Sequence, residues 1–458
     1  MDRIFKRLYF IGFAGYLFLF VFSILFFKER TIFCDIAFHL FLILKDNTFV
    51  PNFRFGAFFT QLYPLFAARA GMSLSSVMMA YSVGFIFYHF IYFLICGLVC
   101  RRYQFGLCIL LFNLLFLSHT FYWMQSELPQ AINLFILVLA VASTVKSNDI
   151  KPLALAVIFL GLFIVVFTHP LAIFPVVYCI IFFLLSKDEP VIDKKLLYSI
   201  FIFSIGTYLI KVTFFQGGYD SQAMSTVHSL PFKNIFSIYS NVHFVHNCFI
   251  KYYWIPILSL LVFTYYLVRK DWRKCILFCL FMIGYLELVN LTHANSDGYD
   301  FYIENQYLPL GIFIALPLVF DVFPAIKKKY VAELFFTVIL ATGCIRIYNT
   351  HESWSARLNW ERHFLVENEG KKMIVDEKKT PVNLLLMTWG TPLEFWLLST
   401  TEYKRSASVI ITGNPESYMG FIDSSKSLIV TGGLFPYSTL SGRYFKFEDT
   451  SSHYSVIR

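Results

Sequence analysis

Long apolar runs constrain this chain more than any other feature of its sequence. No residue from Leu8 to Phe27 is charged, and about 20 such residues span the hydrocarbon core of a bilayer as a helix. Across the chain 57% of residues are hydrophobic and 15% are charged, whereas soluble domains are about a quarter charged. Because a soluble fold of this size could not bury so much apolar surface, the sequence predicts an integral membrane protein.

The first apolar run is interpreted as a retained anchor helix. It follows Arg3, Lys6 and Arg7, as a signal peptide would, but it is too long for the apolar core of a signal peptide and no small-residue cleavage site follows it.

The apolar runs together predict an α-helical polytopic membrane protein with about eleven transmembrane helices and a small C-terminal α/β domain outside the cytoplasm. Residues 1–348 are the expected transmembrane part, and residues 349–458 are the expected soluble domain. The runs on either side of His169-Pro170 are either one kinked helix or two short helices. The candidate spans are residues 8–27, 78–99, 104–120, 129–145, 153–168, 171–186, 196–215, 252–268, 275–291, 307–324 and 330–347.

The distribution of basic residues predicts the orientation of these spans. The formal net charge is +9, which by itself does not indicate a nucleic-acid partner, and none is expected. With the N-terminus in the cytoplasm, the short inner connections carry most of the Lys and Arg residues, as in Arg101-Arg102, Arg269-Lys270 and Lys327–Lys329. Cytoplasmic loops of membrane proteins collect positive charge in this way, so the C-terminal domain is expected on the non-cytoplasmic side.

Two long loops are expected on that outer side, at residues 28–77 and 216–251. The first contains two short amphipathic stretches, Cys34–Leu44 and Phe55–Ala70, of the kind that lie in the membrane interface. In the C-terminal region, Val382–Trp389, Ser408–Thr412 and Ser427–Thr431 are predicted strands. Ser355–Lys372 and Pro392–Ser399 are predicted helices.

The outer loops also hold nearly all of the loop histidines, which places the expected working face outside. Asp35 and His39 are four residues apart and would share one face of a short helix. Their apolar neighbours place them at the membrane boundary, where partial desolvation raises the pKa of a carboxylate and makes it a better base. A helix cap or a solvated loop pair would give the same pattern.

Several other polar residues are candidates, each with a plainer alternative. Glu127 is either a second acid facing Asp35 or the first-turn acid of the next helix. Arg54, among aromatic residues, suits a phosphate or the interface. Lys211 and Glu287 are charges within predicted spans, which are functional candidates by default.

Three histidines in the second long loop, His228, His243 and His246, match no zinc spacing. A divalent metal is therefore not supported, and no cofactor is expected. Binding of a lipid phosphate, or no role at all, remains open for them. The complete candidate set is Asp35 and Glu127 as catalytic residues, and His39, Arg54, Gln61, Lys211, His243, His246, Glu287 and Glu304 as substrate-binding residues.

This layout resembles the GT-C superfamily of membrane glycosyltransferases. Phe33–His39, just after the first helix, looks like the short acidic motif of that family followed by His. Tyr307-Leu308-Pro309 is similar to the aromatic-Leu-Pro start of a late helix in bacterial members. Many members have two adjacent acids in the first loop, whereas here Ile36 follows Asp35, and an Asp-x-Asp motif is absent.

The resemblance implies an enzyme that moves a sugar from a polyprenyl-phosphate-linked donor to a glycan, lipid or protein acceptor, with the membrane lipid around it. Asp35 would be the general base, and basic groups such as Arg54 and Lys211 would stabilise the leaving phosphate. It also implies a bacterial inner membrane in preference to the endoplasmic reticulum.

Two other functions share some of these features. A polymerase of lipid-linked glycans of the O-antigen type would rely on outer-loop arginines, and only Arg54 and Arg69 lie well inside such a loop. A transporter or flippase would show internal repeats and charges at the membrane midplane. No repeat is found, and both intramembrane charges lie near the outer end of a span.

Overall fold

The chain is predominantly helical, with a small sheet near its C-terminus. A computed structural model describes residues 2–48, 50, 53–124, 127–145, 152–186, 190–215, 237–293, 300–369, 371–423, 426–447 and 453–458. The helices before the sheet are α1 (Asp2–Leu25), α2 (Phe27–Thr31), α3 (Cys34–Asp46), α4 (Ala57–Arg69), α5 (Leu74–Leu94), α6 (Tyr103–Leu115), α7 (His119–Tyr122), α8 (Glu127–Ala142), α9 (Pro152–Thr168), α10 (Ile173–Leu184), α11 (Lys194–Phe214), α12 (Tyr239–Ile250), α13 (Trp254–Val268), α14 (Trp272–Thr292), α15 (Asp300–Pro317) and α16 (Lys329–Glu367).

Six helical segments in the described part of the chain are long and apolar enough to cross a membrane. They are Arg3–Leu25, Leu74–Val99, Lys194–Phe214, Trp272–Thr292, Phe301–Ala325 and Lys329–Glu367. Helices α12 and α13 meet at an angle of 90° and make a seventh span if they count as one.

Each of the eleven predicted spans coincides with a helix, but the count of eleven membrane crossings is not confirmed. Four of these helices, α6, α8, α9 and the segment Pro170–Leu184, have only 10–17 residues. At 1.5 Å per residue the longest of them is about 25 Å, which is shorter than the hydrocarbon core of about 30 Å. Around His169 the chain forms two helices rather than one kinked helix, because α9 ends at Thr168.

Both amphipathic stretches of the first long loop are helical, as predicted, and correspond to α3 and α4. Helix α3 begins at Cys34 after an extended Phe33 (φ −159°, ψ 139°). Gly71 has a φ of +71° where the chain turns from α4 into α5, a conformation that glycine adopts without steric cost. This turn folds α4 back against α5.

The C-terminal region contains a three-stranded parallel sheet and a hairpin. The strands are β1 (Met373–Asp376), β2 (Val409–Thr412), β3 (Ser427–Val430), β4 (Gly433–Pro436) and β5 (Ser455–Ile457), and the helices between β1 and β2 are α17 (Val382–Leu385) and α18 (Thr391–Glu402). The sheet order is β2-β1-β5, with Ile374 opposite Ile410 and Val456. The β3–β4 hairpin turns at Thr431 and Gly432, both with positive φ, which matches the twist of the strands.

The predicted strand at Val382–Trp389 is wrong, whereas those at Ser408–Thr412 and Ser427–Thr431 are confirmed. Val382–Leu385 forms a single helical turn after Pro381. A short apolar run does not by itself distinguish a strand from a buried helical turn, and the edges of β1 are already paired with β2 and β5.

The C-terminal region packs directly on the first loop. The ring of Trp396 on α18 lies 6.0 Å from that of Phe41 on α3, and the Tyr444 hydroxyl donates to the carbonyl oxygen of Ala68 at 3.2 Å. The predicted boundary at residue 349 falls inside α16, which continues without interruption to Glu367. One continuous buried cluster therefore joins the helical part to the C-terminal region.

Candidate functional site

Asp35 lies in the first turn of α3, immediately after the first membrane helix and the short helix α2. A carboxylate is favoured there by the partial positive charge of a helix N-terminus. Its side chain is partly buried, and the indole N–H of Trp123 donates to its Oδ2 atom at 3.1 Å. Burial, with smaller contributions from the charges of Glu127 and Glu394, raises the pKa of Asp35 to about 6, against the lowering effect of the Trp123 hydrogen bond. The expected desolvation of this acid is therefore present.

Glu127 and Arg54 form a buried ion pair beside Asp35. The Nη1 atom of Arg54 lies 3.0 Å from Oε2 of Glu127, and the two residues are 8% and 7% exposed. Because Glu127 raises the pKa of Asp35, the two carboxylates lie within electrostatic reach of each other. Glu127 is the first-turn acid of α8, as one of its two interpretations predicts, and its charge also acts on Asp35.

His39 lies one turn after Asp35 on α3 and is buried. Burial lowers the pKa of His39 to about 4, with a further contribution from the charge of Arg54. The imidazole is therefore neutral at physiological pH. We call the group formed by Asp35, His39, Arg54, Trp123 and Glu127 the Asp35 site.

Lys211 on α11 binds the C-terminal end of α9. Its ammonium donates to the carbonyl oxygens of Val166 and Phe167 at 3.2 and 2.9 Å, and so caps the C-terminal end of α9. The pKa of His169 is lowered by burial and by the charges of Arg54 and Lys211. His169 is thus within electrostatic reach of both basic groups that the sequence assigns to phosphate binding.

Gln61 is buried in α4, and the remaining candidates lie elsewhere, on α12, α14 and α15. The amide of Asn241 donates to Glu287 at 3.0 Å, and the amide of Asn247 contacts His243 at 2.9 Å. His246 is on an exposed position of α12. His228 lies outside the described residues. The contacts described for His243 and Glu287 thus lie within α12 and between α12 and α14.

Glu304 is completely buried and its carboxylate is surrounded by donors. The backbone amides of Ser118 and Thr120 donate to it at 2.7 and 2.9 Å, and their hydroxyl groups donate to it as well. Glu304 therefore holds the start of α7, the one-turn helix that ends just before Trp123. It acts on the Asp35 site by fixing the segment that carries the Trp123 indole.

A second buried cluster contacts the N-terminus of α3 through Glu394, and the sequence alone did not indicate it. Arg357 on α16 contacts Glu361 at 3.0 Å and Glu394 on α18 at 3.1 Å. The three residues are 1%, 0% and 0% exposed. We call them the Arg357 cluster. Its members are separated by up to 37 positions along the chain, and the charged residues near them in the sequence are typical of a protein surface. The only local sign of the cluster is the i,i+4 spacing of Arg357 and Glu361.

The cavities of the described part of the chain include one that adjoins the Asp35 site and one that does not. The volume open to the centres of water molecules is about 30 Å³ in the first, which is lined by Arg30, His89, Asn113 and Trp123. It adjoins the Asp35 site through Trp123 but holds only a few waters. The second, about 150 Å³, lies between the ends of α16 and α18 and is lined by no residue of the Asp35 site. Among the described residues, no three His, Cys, Asp or Glu side chains are grouped as metal ligands.

Comparisons of this chain with protein-family models, with curated proteins and with solved structures found no match.

Proposed function

We propose that this chain is an integral membrane glycosyltransferase that moves a sugar from a polyprenyl-phosphate-linked donor to an acceptor on the outer face of the membrane. The observation that carries the proposal is Asp35 itself. This acid follows the first membrane helix, is partly buried, and has its pKa raised to about 6 by burial and by neighbouring carboxylates. It is therefore ionised at neutral pH and a stronger base than an ordinary aspartate.

Asp35 would act on the hydroxyl group of the acceptor. The acceptor oxygen attacks the anomeric carbon of the sugar while the bond from that carbon to the phosphate oxygen breaks. The hydroxyl proton passes to the Asp35 carboxylate, and the departing polyprenyl phosphate keeps the electron pair of the broken bond. The Trp123 N–H, which donates to Oδ2 of Asp35, leaves the other carboxylate oxygen to accept this proton.

Arg54 and Lys211 would stabilise the negative charge on the leaving phosphate. Both are buried, at 8% and 2% exposure, in surroundings where charge interactions are stronger than in water. Glu127 holds the guanidinium of Arg54 from one side and so fixes its direction. The neutral imidazoles of His39 and His169 add hydrogen-bonding groups around Arg54 without adding charge.

The surroundings of Arg54 suit a lipid-borne substrate. Phe53, Phe55 and Phe58 are 46%, 38% and 38% exposed, so an apolar surface flanks the buried guanidinium. The rings of Phe53 and Phe55 pack on Phe215 and Phe167, at 5.6 and 5.5 Å. A polyprenyl tail would lie against these rings while its phosphate reaches Arg54.

The test is transfer by purified protein in lipid nanodiscs, with a panel of radiolabelled polyprenyl-phosphate sugars and release of the sugar as the readout. Asp35→Asn keeps the shape of the side chain and removes its basicity. We expect a loss of about 100-fold or more with any active donor, the usual contribution of a general base.

Asp46→Asn is the matched control, because Asp46 is the exposed acid at the other end of the same helix. Transfer by this variant should equal that of the wild type. Full transfer by Asp35→Asn would remove Asp35 from the chemistry, whereas movement of intact donor across the membrane without sugar release would support a flippase.

A further inference from the structure

Glu394 reaches the helix that carries Asp35, although it lies 360 positions away along the chain. Its Oε1 atom accepts a hydrogen bond from the backbone N–H of Cys34 at 2.6 Å. Cys34 is the first residue of α3, and the amides of a first helical turn have no partner within the helix. The residue before it, Phe33, has no side-chain oxygen to cap them, so a carboxylate from α18 supplies the cap.

Arg357 holds this carboxylate and also the chain that enters α3. Its Nη2 atom lies 3.1 Å from Oε2 of Glu394, and its Nη1 donates to the carbonyl oxygen of Ile32 at 3.2 Å. Its guanidinium carbon lies 4.8 Å above the ring of Phe33. The backbone on both sides of Phe33 is therefore fixed by the same pair of side chains.

Gly390 shows how closely α18 approaches this point. A methyl group added to Gly390 would lie 2.4 Å from the Cα atom of Cys34, which is far inside van der Waals contact. Gly390 directly precedes α18. The N-termini of α3 and α18 thus meet backbone to backbone, with the Glu394 hydrogen bond beside the contact.

We propose that Glu394, oriented by Arg357, is a positioning residue for Asp35, through which the C-terminal region sets the place and the charge surroundings of that acid. Calling Asp35 the base rests on the proposed function, whereas the positioning of Asp35 does not. Glu394 acts through the first turn of α3, because its described hydrogen bond to the helix is with Cys34 and its ion pair is with Arg357.

The groups that face Asp35 define what a change at Glu394 should do. They are Glu127 with its partner Arg54, the Trp123 indole, and Glu394 with its partner Arg357. Glu394→Gln keeps an oxygen that accepts from Cys34 but removes a negative charge that raises the pKa of Asp35. The pKa of Asp35 should therefore fall in this variant.

Glu361 provides a matched control within the same buried cluster. Burial, together with the charge of Glu394, raises the pKa of Glu361 well above its usual range against the opposing charge of Arg357. Glu361→Gln removes a carboxyl group from the same cluster and leaves the hydrogen bond from Cys34 to Glu394 in place. Glu361 is also absent from the groups that act on Asp35.

The experiment measures the protonation of Asp35 directly, with no sugar donor. Purified protein in nanodiscs is treated with dicyclohexylcarbodiimide, which reacts with protonated carboxyl groups, from pH 4 to pH 9, and the labelled Asp35 peptide is quantified by mass spectrometry. In the wild type the midpoint is expected near pH 6. In Glu394→Gln the labelling at pH 6 should fall about twofold or more, whereas Glu361→Gln should follow the wild-type curve.

An unchanged midpoint in Glu394→Gln, or an equal shift in Glu361→Gln, would overturn the proposal. If Glu394→Gln does not fold, hydrogen exchange in the wild type decides instead, since the Cys34 amide should be protected and free exchange there would contradict the cap. Active sugar transfer by Asp35→Asn would defeat the proposed function and leave this labelling result standing, so the two failures are distinguishable.

Discussion

The two buried ionic groups near the N-terminus of α3 each contain an Arg–Glu ion pair, but they differ in how completely they are enclosed. In the Arg357 cluster every carboxylate and guanidinium is at most 1% exposed, and Arg357 contacts both acids directly. In the Asp35 site, Arg54 pairs with Glu127, whereas Asp35 is only partly buried and accepts from Trp123.

This difference separates a group that holds structure from a group suited to chemistry. A fully enclosed ion cluster gains little net free energy, but removing one partner leaves a buried charge uncompensated and is costly. A desolvated acid that is not paired with a cation instead has a raised pKa, so it binds a proton more readily. The Arg357 cluster therefore stabilises the fold around α3, whereas Asp35 keeps the properties of a base.

The largest effect on stability is expected from Arg357→Leu. The variant leaves the buried Glu394 carboxylate without its cation, and breaking a buried pair costs about 3–5 kcal/mol. Thermal unfolding in detergent, followed by tryptophan fluorescence, measures the loss. The control is Arg7→Ala, which removes a surface contact with Glu333 in which Arg7 is 69% exposed and which is worth less than about 1 kcal/mol. Equal losses in the two variants would contradict the distinction.

A smaller effect is expected from opening the ion pair of the Asp35 site. Arg54→Ala and Glu127→Ala each leave one buried charge, and each should lower the free energy of unfolding by about 2–4 kcal/mol. The double variant should cost clearly less than the sum, because no unpaired charge remains. Urea unfolding of the four proteins completes the cycle, and strict additivity would show that the pair is not coupled.

The smallest effect is a gain in stability in Asp35→Asn that depends on pH. Because the pKa of Asp35 is raised from 3.8 to about 6, the folded protein binds this proton more tightly than the unfolded chain. The contribution of Asp35 to stability is therefore full below pH 4 and is lost as the pH rises through 6. At pH 7.5 the asparagine variant should exceed the wild type by at most about 3 kcal/mol, and this excess should shrink toward pH 4.

Thermal unfolding of both proteins at several pH values checks this trend. Asp46→Asn on the exposed end of α3 controls for loss of a charge. A constant difference between Asp35→Asn and the wild type across pH would mean that Asp35 is not desolvated.

Local pattern predicted the helices and the first-turn acid, because both depend on neighbouring residues. The apolar runs located a helix at each expected span, and the i,i+4 spacing placed Asp35 and His39 on α3. The number of crossings is not confirmed where a run is helical but short, as in α6. The strand predicted at Val382–Trp389 is wrong, because Val382–Leu385 forms a single helical turn.

The Arg357 cluster could not be predicted, for a physical reason. Its energy comes from contacts between α3, α16 and α18, which are distant in sequence, and the same glutamates on a surface would look identical. The role of Glu304 was missed for the same reason, since its donors lie more than 180 positions earlier. Strands β4 and β5 have only four and three residues, too few to show an alternating pattern.

Helix α16 runs without a break from a candidate membrane span to the Arg357 cluster. With 39 residues it is about 58 Å long, close to twice the thickness of the hydrocarbon core. The position of Arg357 along and around the helix axis is therefore set by the number of helical residues before it. Deleting one residue between Ile347 and Trp354 would turn Arg357 by about 100° around the helix axis, carrying it away from Glu394. The number of residues in this helix thus determines where Arg357 lies, and through Glu394 it affects the position of Asp35.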